Sequence, residues 1–333
     1  MAAIDRIQCD RRLAERFRAI GLTTEASHSI PPRHAALRDD PVAIALRLFR
    51  DHGSASPEEV FRCLGSAGEG LTRGAGDGLC AAFRLDLIHG LFLFSDWPAG
   101  DLEEALPPGE ITAILYRAAA GFDGGRVLDL GCGSGTLALL LAGPGVLAVG
   151  TDVNPRAIAL ARLNARVNDR GGVEFREGSL YQPIRNESFD LIVSQPPFIP
   201  SAPGADRHIF LHGGERGDEL ARAIIAGSAE HLAPDGRAFV FSDWALRDGE
   251  RLADRIPHER LRATLYVSRP IDPAGYAASY SDELAEVLRE RGITGIRQCL
   301  TVIEHGEGLE QHEVLPHQWG EVNKTLRPRI SSL

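Results

Sequence analysis

The chain has 333 residues, 44% hydrophobic and 25% charged, with a formal net charge of −10 at pH 7. This is the composition of a globular protein, long enough for a full α/β domain and a smaller second one. No apolar run nears the roughly 20 residues needed to span a bilayer, so no membrane partner is expected. The charged N-terminus lacks the apolar core of a secretion signal, which points to the cytoplasm. The acidic balance disfavours binding to phosphate backbones, so a small-molecule or protein substrate is expected before RNA. Oligomeric state is left open.

Taken in chain order, Pro41 to His52 carries apolar residues at one-face helical spacing. Ser56-Pro57-Glu58-Glu59 is a capping box with proline at the first helical position, opening a second helix. Ala81–Ile88 and Leu91–Ser95 read as strands joined at His89-Gly90. Helices followed by a hairpin suggest a winged-helix-like accessory domain over residues 1–115, expected to cap a site in the rest of the chain. The five cysteines (Cys9, Cys63, Cys80, Cys132, Cys299) are scattered, with no C-x-x-C spacing.

From residue 116 to 333 strands and helices alternate, predicting a Rossmann-like, doubly wound α/β sheet of seven strands. The strands are expected at Arg126–Leu130, Leu147–Asp152, Val173–Glu177, Leu191–Ser194, Ala238–Ser242, Leu261–Ser268 and Gln298–Glu304.

The first of them runs into Gly131-Cys132-Gly133-Ser134-Gly135, with Asp129 two positions before the first glycine. Such a turn brings backbone close to a ligand. A dinucleotide fingerprint needs glycine where Thr136 stands. Asp152 ends the next strand roughly 20 residues on, where a ribose-binding carboxylate belongs in a Rossmann-like unit. Asn154-Pro155 then caps the following helix. The fourth strand ends in Gln195-Pro196-Pro197-Phe198. Its two prolines fix φ and remove donors, leaving a rigid loop with bare carbonyls.

These motifs resemble those of class I methyltransferases dependent on S-adenosyl-L-methionine (SAM). The stretch from Asp152 to Trp244 is similar to release-factor glutamine N-methyltransferases and small-subunit rRNA guanine N-methyltransferases. The segment Leu211-His212-Gly213-Gly214 also resembles the Gly-Gly stretch that follows the same loop in the former. The resemblance implies SAM as cofactor, held by Asp129, Gly131, Gly133, Gly135, Asp152, Ser179 and Leu180. It implies that Gln195, Pro196 and Phe198 orient an amide or amine nitrogen of a small molecule or protein side chain for in-line transfer. An RNA base amine is the alternative acceptor. Gln195 departs from the family's Asn, Asp or Ser, and its amide reaches about 1.5 Å farther.

His208 and His212 lack a third ligand, so no metal site is expected. His305, His312 and His317 read as part of a polar tail. Asp243-Trp244 follows the fifth predicted strand, and Tyr276 and Tyr280 lie in an inserted helical segment; Trp244 and the two tyrosines are candidates to face the acceptor pocket.

Overall fold

The computed structural model describes residues 4, 7, 9–36, 38–98, 104–201 and 211–321. Five short helices open the chain: α1 (Arg11–Ala19), α2 (Thr24–Ser29), α3 (Pro32–Ala35), α4 (Pro41–Phe49) and α5 (Pro57–Leu64). The capping box of α5 is formed: Ser56 Oγ accepts from Glu59 N, and Glu59 Oε2 accepts from Ser56 N. Strands β1 (Ser54–Ala55), β2 (Thr72–Ala75) and β3 (Gly78–Ala81) make a small antiparallel sheet ordered β1-β3-β2. A separate hairpin follows, β4 (Arg84–Ile88) with β5 (Leu91–Ser95). The strand expected over Ala81–Ile88 is therefore broken at Ala82-Phe83, and the two halves belong to different sheets.

Helix α6 (Glu110–Ala118) leads into the main α/β unit. There β6 (Gly125–Leu130), α7 (Thr136–Leu141), β7 (Val146–Asp152), α8 (Pro155–Val167), β8 (Val173–Glu177) and β9 (Phe189–Ser194) alternate. Short strands β10 (Ile199–Pro200) and β11 (His212–Gly214) precede α9 (Glu219–His231) and β12 (Leu232–Arg247). The chain continues through β13 (Leu261–Ser268), α10 (Pro273–Ala277), α11 (Asp282–Glu290), β14 (Ile293–His305) and β15 (Gly308–Val314).

The central sheet runs β15-β13-β14-β12-β9-β6-β7-β8. Strands β8, β7, β6, β9 and β12 are parallel, whereas β14 is antiparallel to both β12 and β13. All seven predicted strands are present, but the sheet has eight. The extra one, β15, lies inside what reads as a polar tail; it is an edge strand, mostly exposed and without an apolar alternation to announce it. Strand β12 is also far longer than Ala238–Ser242, so Asp243 and Trp244 lie within it rather than after it.

Chain order reverses between β6 and β9: one path leads outward through β7 and β8, the other through β12. Such a switch point leaves a crevice at the carboxyl ends of the strands, where ligands bind in doubly wound sheets. Alternation along the strands divides the core. Val127, Val193, Phe239 and Phe241 face one layer, and Leu128, Ile192, Val240 and Trp244 the other. No helix among the described residues is long and apolar enough to cross a membrane.

Candidate active site

A cavity of about 350 Å³ occupies the switch point, bordered by the glycine turn after β6, Asp152 at the end of β7, Ser179-Leu180 after β8, and Gln195-Pro196-Pro197 after β9. Four loops distant in sequence thus converge on one space.

The glycine turn is shaped from two sides. Gly131, Gly133 and Gly135 all have positive φ, which side-chain-bearing residues seldom adopt. Gly135 also packs against the Phe175 ring and Ala161, which a Cβ would overlap. Asp152 Oδ2 accepts from Gly133 N and Oδ1 from Asn154 N, both at 2.8 Å. The carboxylate therefore ties the two loops together while facing the cavity. Asp129 is buried and accepts from Ala138 N at 2.9 Å, anchoring the first turn of α7. Burial pushes the Asp129 carboxyl up to about 7, with the Ala138 N–H pulling it down and the Asp152 charge adding to the rise. Asp152 is also raised by burial, against the opposing N–H groups of Asn154, Gly133 and Val153.

Three carboxylates, Glu104, Asp129 and Asp152, line the cavity, and none of its described lining residues is Lys, Arg or His. An enclosed space of that charge favours a cation and repels a pyrophosphate. Leu180, Leu220 and Ile224 give one wall an apolar face. Tyr181 steadies that wall: its hydroxyl donates to Ile224 O at 2.8 Å and its ring stacks on His231.

Residues 111–258 match the family model of the methyltransferase small domain. That stretch, less than half of the chain, is similar to this family. It is 41% identical over 127 residues to a release factor glutamine methyltransferase of Geobacter sulfurreducens, covering 34% of this chain and 44% of that protein. A Bradyrhizobium diazoefficiens protein of the same name is 36% identical over 167 residues, covering 47% of this chain and 54% of the relative. The chain thus spans about half the length of the curated relatives it matches. Among solved structures, a ribosomal protein L11 methylase from Lactobacillus delbrueckii subsp. bulgaricus is 19% identical, with a TM-score of 0.33, covering 59% of this chain and 78% of that one.

Within the matched stretch, the Gln195-Pro196-Pro197-Phe198 loop is held from behind. Ser194 Oγ donates to Leu130 O at 2.7 Å, locking the end of β9 to the end of β6. Strand β11 lies parallel to β10, and Ile199 N donates to Leu211 O at 2.9 Å. This seats Gly213 directly on the loop, where a Cβ would overlap the carbonyl oxygens of Pro197 and Gly217. At Gly217, which has φ +88, a Cβ would overlap the Phe198 carbonyl. The Gly-Gly segment is a brace for the proline loop.

The structure gathers Asp129, Gly131, Gly133, Asp152, Ser179, Leu180, Gln195 and Pro196 around the cavity. Gly135 shapes the turn from outside that lining. Phe198 also lies outside it, half-buried against the cluster of Ile199, Tyr276, Leu284 and Ile296. His212 opens β11, and His208 lies outside the described residues.

Other important residues escaped the sequence reading. Segment 104–109 forms a wall of the cavity, and Asp96 holds it in place: Asp96 Oδ2 accepts from Ala105 N, and Asp96 N donates to Ala105 O, both at 2.9 Å. Asp96 is in turn paired with Arg156 on α8. Asn164, also on α8, receives Phe94 N at 2.7 Å and donates to Phe94 O and Ser134 O at 2.9 Å. These ties link the β4–β5 hairpin to the glycine turn.

Proposed function

We propose that the chain is a SAM-dependent methyltransferase acting on the amide nitrogen of a glutamine side chain in a protein, with a bacterial release factor as the substrate class. The observation that carries this reading is the acid-lined cavity at the switch point, bordered on one side by the Gln195-Pro196-Pro197 loop. SAM carries positive charge on its sulfonium and ammonium groups, so a lining that holds Glu104, Asp129 and Asp152, with no Lys, Arg or His among its described residues, suits it better than a dinucleotide. The names of the relatives and the acidic net charge support a protein acceptor over RNA.

When bound, SAM supplies an electrophilic methyl group. Asp152 is assigned to the ribose hydroxyls, since each of its oxygens keeps a lone pair beyond those used by Gly133 and Asn154. Leu180, Leu220 and Ile224 provide an apolar face for the adenine, with Ser179 beside them. Asp129 and the glycine turn border the amino-acid end. The Gln195 side chain and the Pro196 carbonyl accept the N–H groups of the acceptor amide and turn its nitrogen toward the methyl group. Rigid placement of that amide is the main catalytic device. Residues 1–115 are assigned to an accessory unit that caps the site through segment 104–109, and residues 116–333 to catalysis. The protein is placed in the cytoplasm with its substrate.

The test is incubation with methyl-labelled SAM and purified bacterial release factor, followed by peptide mapping. Label on a glutamine is expected. Label confined to RNA or to small molecules, in a parallel extract fractionation, would overturn the acceptor assignment.

A further inference from the structure

Glu104 is an acid of the cofactor cavity that no motif announces. It is 4% exposed and belongs to the cavity lining. It precedes residue 111, where the match to the family model begins, so the matched stretch does not supply it. The other two acids of the lining have backbone to hold. Asp129 accepts from Ala138 N, and Asp152 from Gly133 N and Asn154 N.

The place of Glu104 in the cavity follows from the ties around it. Ala105, the next residue, is buried; it donates to the Asp96 carboxylate and accepts from Asp96 N, both at 2.9 Å. Two residues before Asp96, Phe94 O shares the Asn164 side-chain amide with Ser134 O, again at 2.9 Å. Ser134 is part of the glycine turn and of the cavity lining. The segment carrying Glu104 is therefore fixed against the glycine turn. The apolar wall of Leu180, Leu220 and Ile224 is built from other elements, the loop after β8 and helix α9.

An ammonium group taken out of water needs a hydrogen-bonding, preferably charged, partner. The glycine turn offers it only neutral backbone groups, and no Lys, Arg or His among the described lining residues competes for a carboxylate there. We infer that Glu104 accepts the ammonium group at the amino-acid end of SAM, a contact supplied from outside the matched stretch; the inference rests on SAM as the cofactor proposed above. A hydrogen bond between ammonium and carboxylate is charge-assisted and stronger than a neutral one. SAM and its demethylated product, S-adenosyl-L-homocysteine (SAH), both keep that amine. 5′-Methylthioadenosine has the nucleoside and the sulfur but lacks the amino-acid end. Glu104 thus separates the whole cofactor from its nucleoside fragment, and treats cofactor and product alike.

The experiment is calorimetry of the full chain, wild type against Glu104→Gln, with SAM, SAH and 5′-methylthioadenosine, the last by displacement of SAH where its own heat is small. Thermal unfolding without ligand is followed in parallel. Glutamine keeps the shape and one acceptor oxygen but loses the charge, so SAM and SAH should each bind about tenfold more weakly. Affinity for 5′-methylthioadenosine should stay within about twofold, because that ligand has no charge for Glu104 to meet. The unfolding midpoint should not fall. Glu104→Ala, which removes both oxygens, should weaken SAM and SAH by roughly a hundredfold and again spare the nucleoside. Unchanged SAM affinity in both variants would overturn the inference. So would an equal loss for 5′-methylthioadenosine, which would move the carboxylate to the ribose, or a loss for SAM without one for SAH, which would move it to the sulfonium. A lowered unfolding midpoint in Glu104→Gln would make the residue structural and overturn it too. Wild type that binds none of the three ligands would instead sink the cofactor reading beneath it.

Discussion

Asp96, just past the β4–β5 hairpin, and Arg156, on α8 behind Asp152, form a two-pronged ion pair. Arg156 Nε donates to one Asp96 oxygen at 2.8 Å and Nη2 to the other at 2.5 Å. The carboxylate that receives them also holds Ala105 in the cavity wall. One buried residue thus joins the hairpin, the wall and the helix that follows Asp152. Removing one partner of such a pair leaves a buried charge and costs roughly 3 kcal/mol. Asp96→Ala is expected to lose about that much in urea unfolding and to bind SAM measurably more weakly by calorimetry. Arg156→Ala should lose at least as much, because it leaves the Asp96 carboxylate, whose side chain is only 6% exposed, without its counter-charge. A double-mutant cycle should show clear coupling between the two.

Asp152 holds both neighbouring loops and faces the cavity. Hydrogen bonds to an ionised group are worth about 1.5–3 kcal/mol. Asp152→Ala should therefore weaken SAM binding by roughly ten- to a hundredfold. The same titration with NAD(H) should show no heat in either protein.

The raised carboxyl of Asp129 has a defined consequence for stability. Between its ordinary value of 3.8 and about 7 the folded protein binds more protons than the unfolded chain. Stability is then lost as pH rises through that window. At 1.36 kcal/mol per unit the contribution reaches at most about 4 kcal/mol. Asp243, raised to about 6, acts in the same sense. Unfolding free energy without ligand should fall between pH 5 and pH 8, and Asp129→Asn should flatten that fall. SAM, by favouring the ionised form, should restore more stability at pH 8 than at pH 5.

Gly213 offers a test of the brace behind the Gln195-Pro196-Pro197 loop. A methyl group there overlaps the Pro197 carbonyl, so Gly213→Ala must displace the loop. Displacements of about 1 Å can cost on the order of a hundredfold when orientation is the catalytic device. A large drop in kcat with SAM affinity nearly unchanged is expected from steady-state kinetics and calorimetry. A proportional loss of both would place the brace in cofactor binding instead.

The sequence was legible where one local pattern carries the information. Val127 to Gly135 announces a buried strand entering a glycine turn, and Leu147 to Asp152 a strand ending in an acid. Both stand where they were expected, as does the Ser56 capping box. Strand β15 was not legible, because Glu310, Gln311, His312 and Glu313 offer no apolar face. Nor was the length of β12, whose end is fixed by pairing with β14 rather than by its own residues. The ties through Asp96 and Asn164 join residues 60 and 70 positions apart, and only the fold brings them together. Phe198 was read from its motif as free to meet the acceptor; its half-burial against the Tyr276 cluster depends on an insertion carrying no motif of its own.

Asn164 and Asn168 bear on how the protein behaves in a crowded solution. Strand β5 reads Leu91-Phe92-Leu93-Phe94, a short apolar stretch of the kind that recruits further strands to an open edge. One side of it pairs with β4. On the other, Asn168 accepts from Phe92 N at 2.9 Å and donates to Phe92 O at 2.7 Å, and Asn164 does the same for Phe94. Two side-chain amides one helical turn apart therefore stand in for a missing strand. They deny a second molecule the backbone groups on which aggregation would be templated.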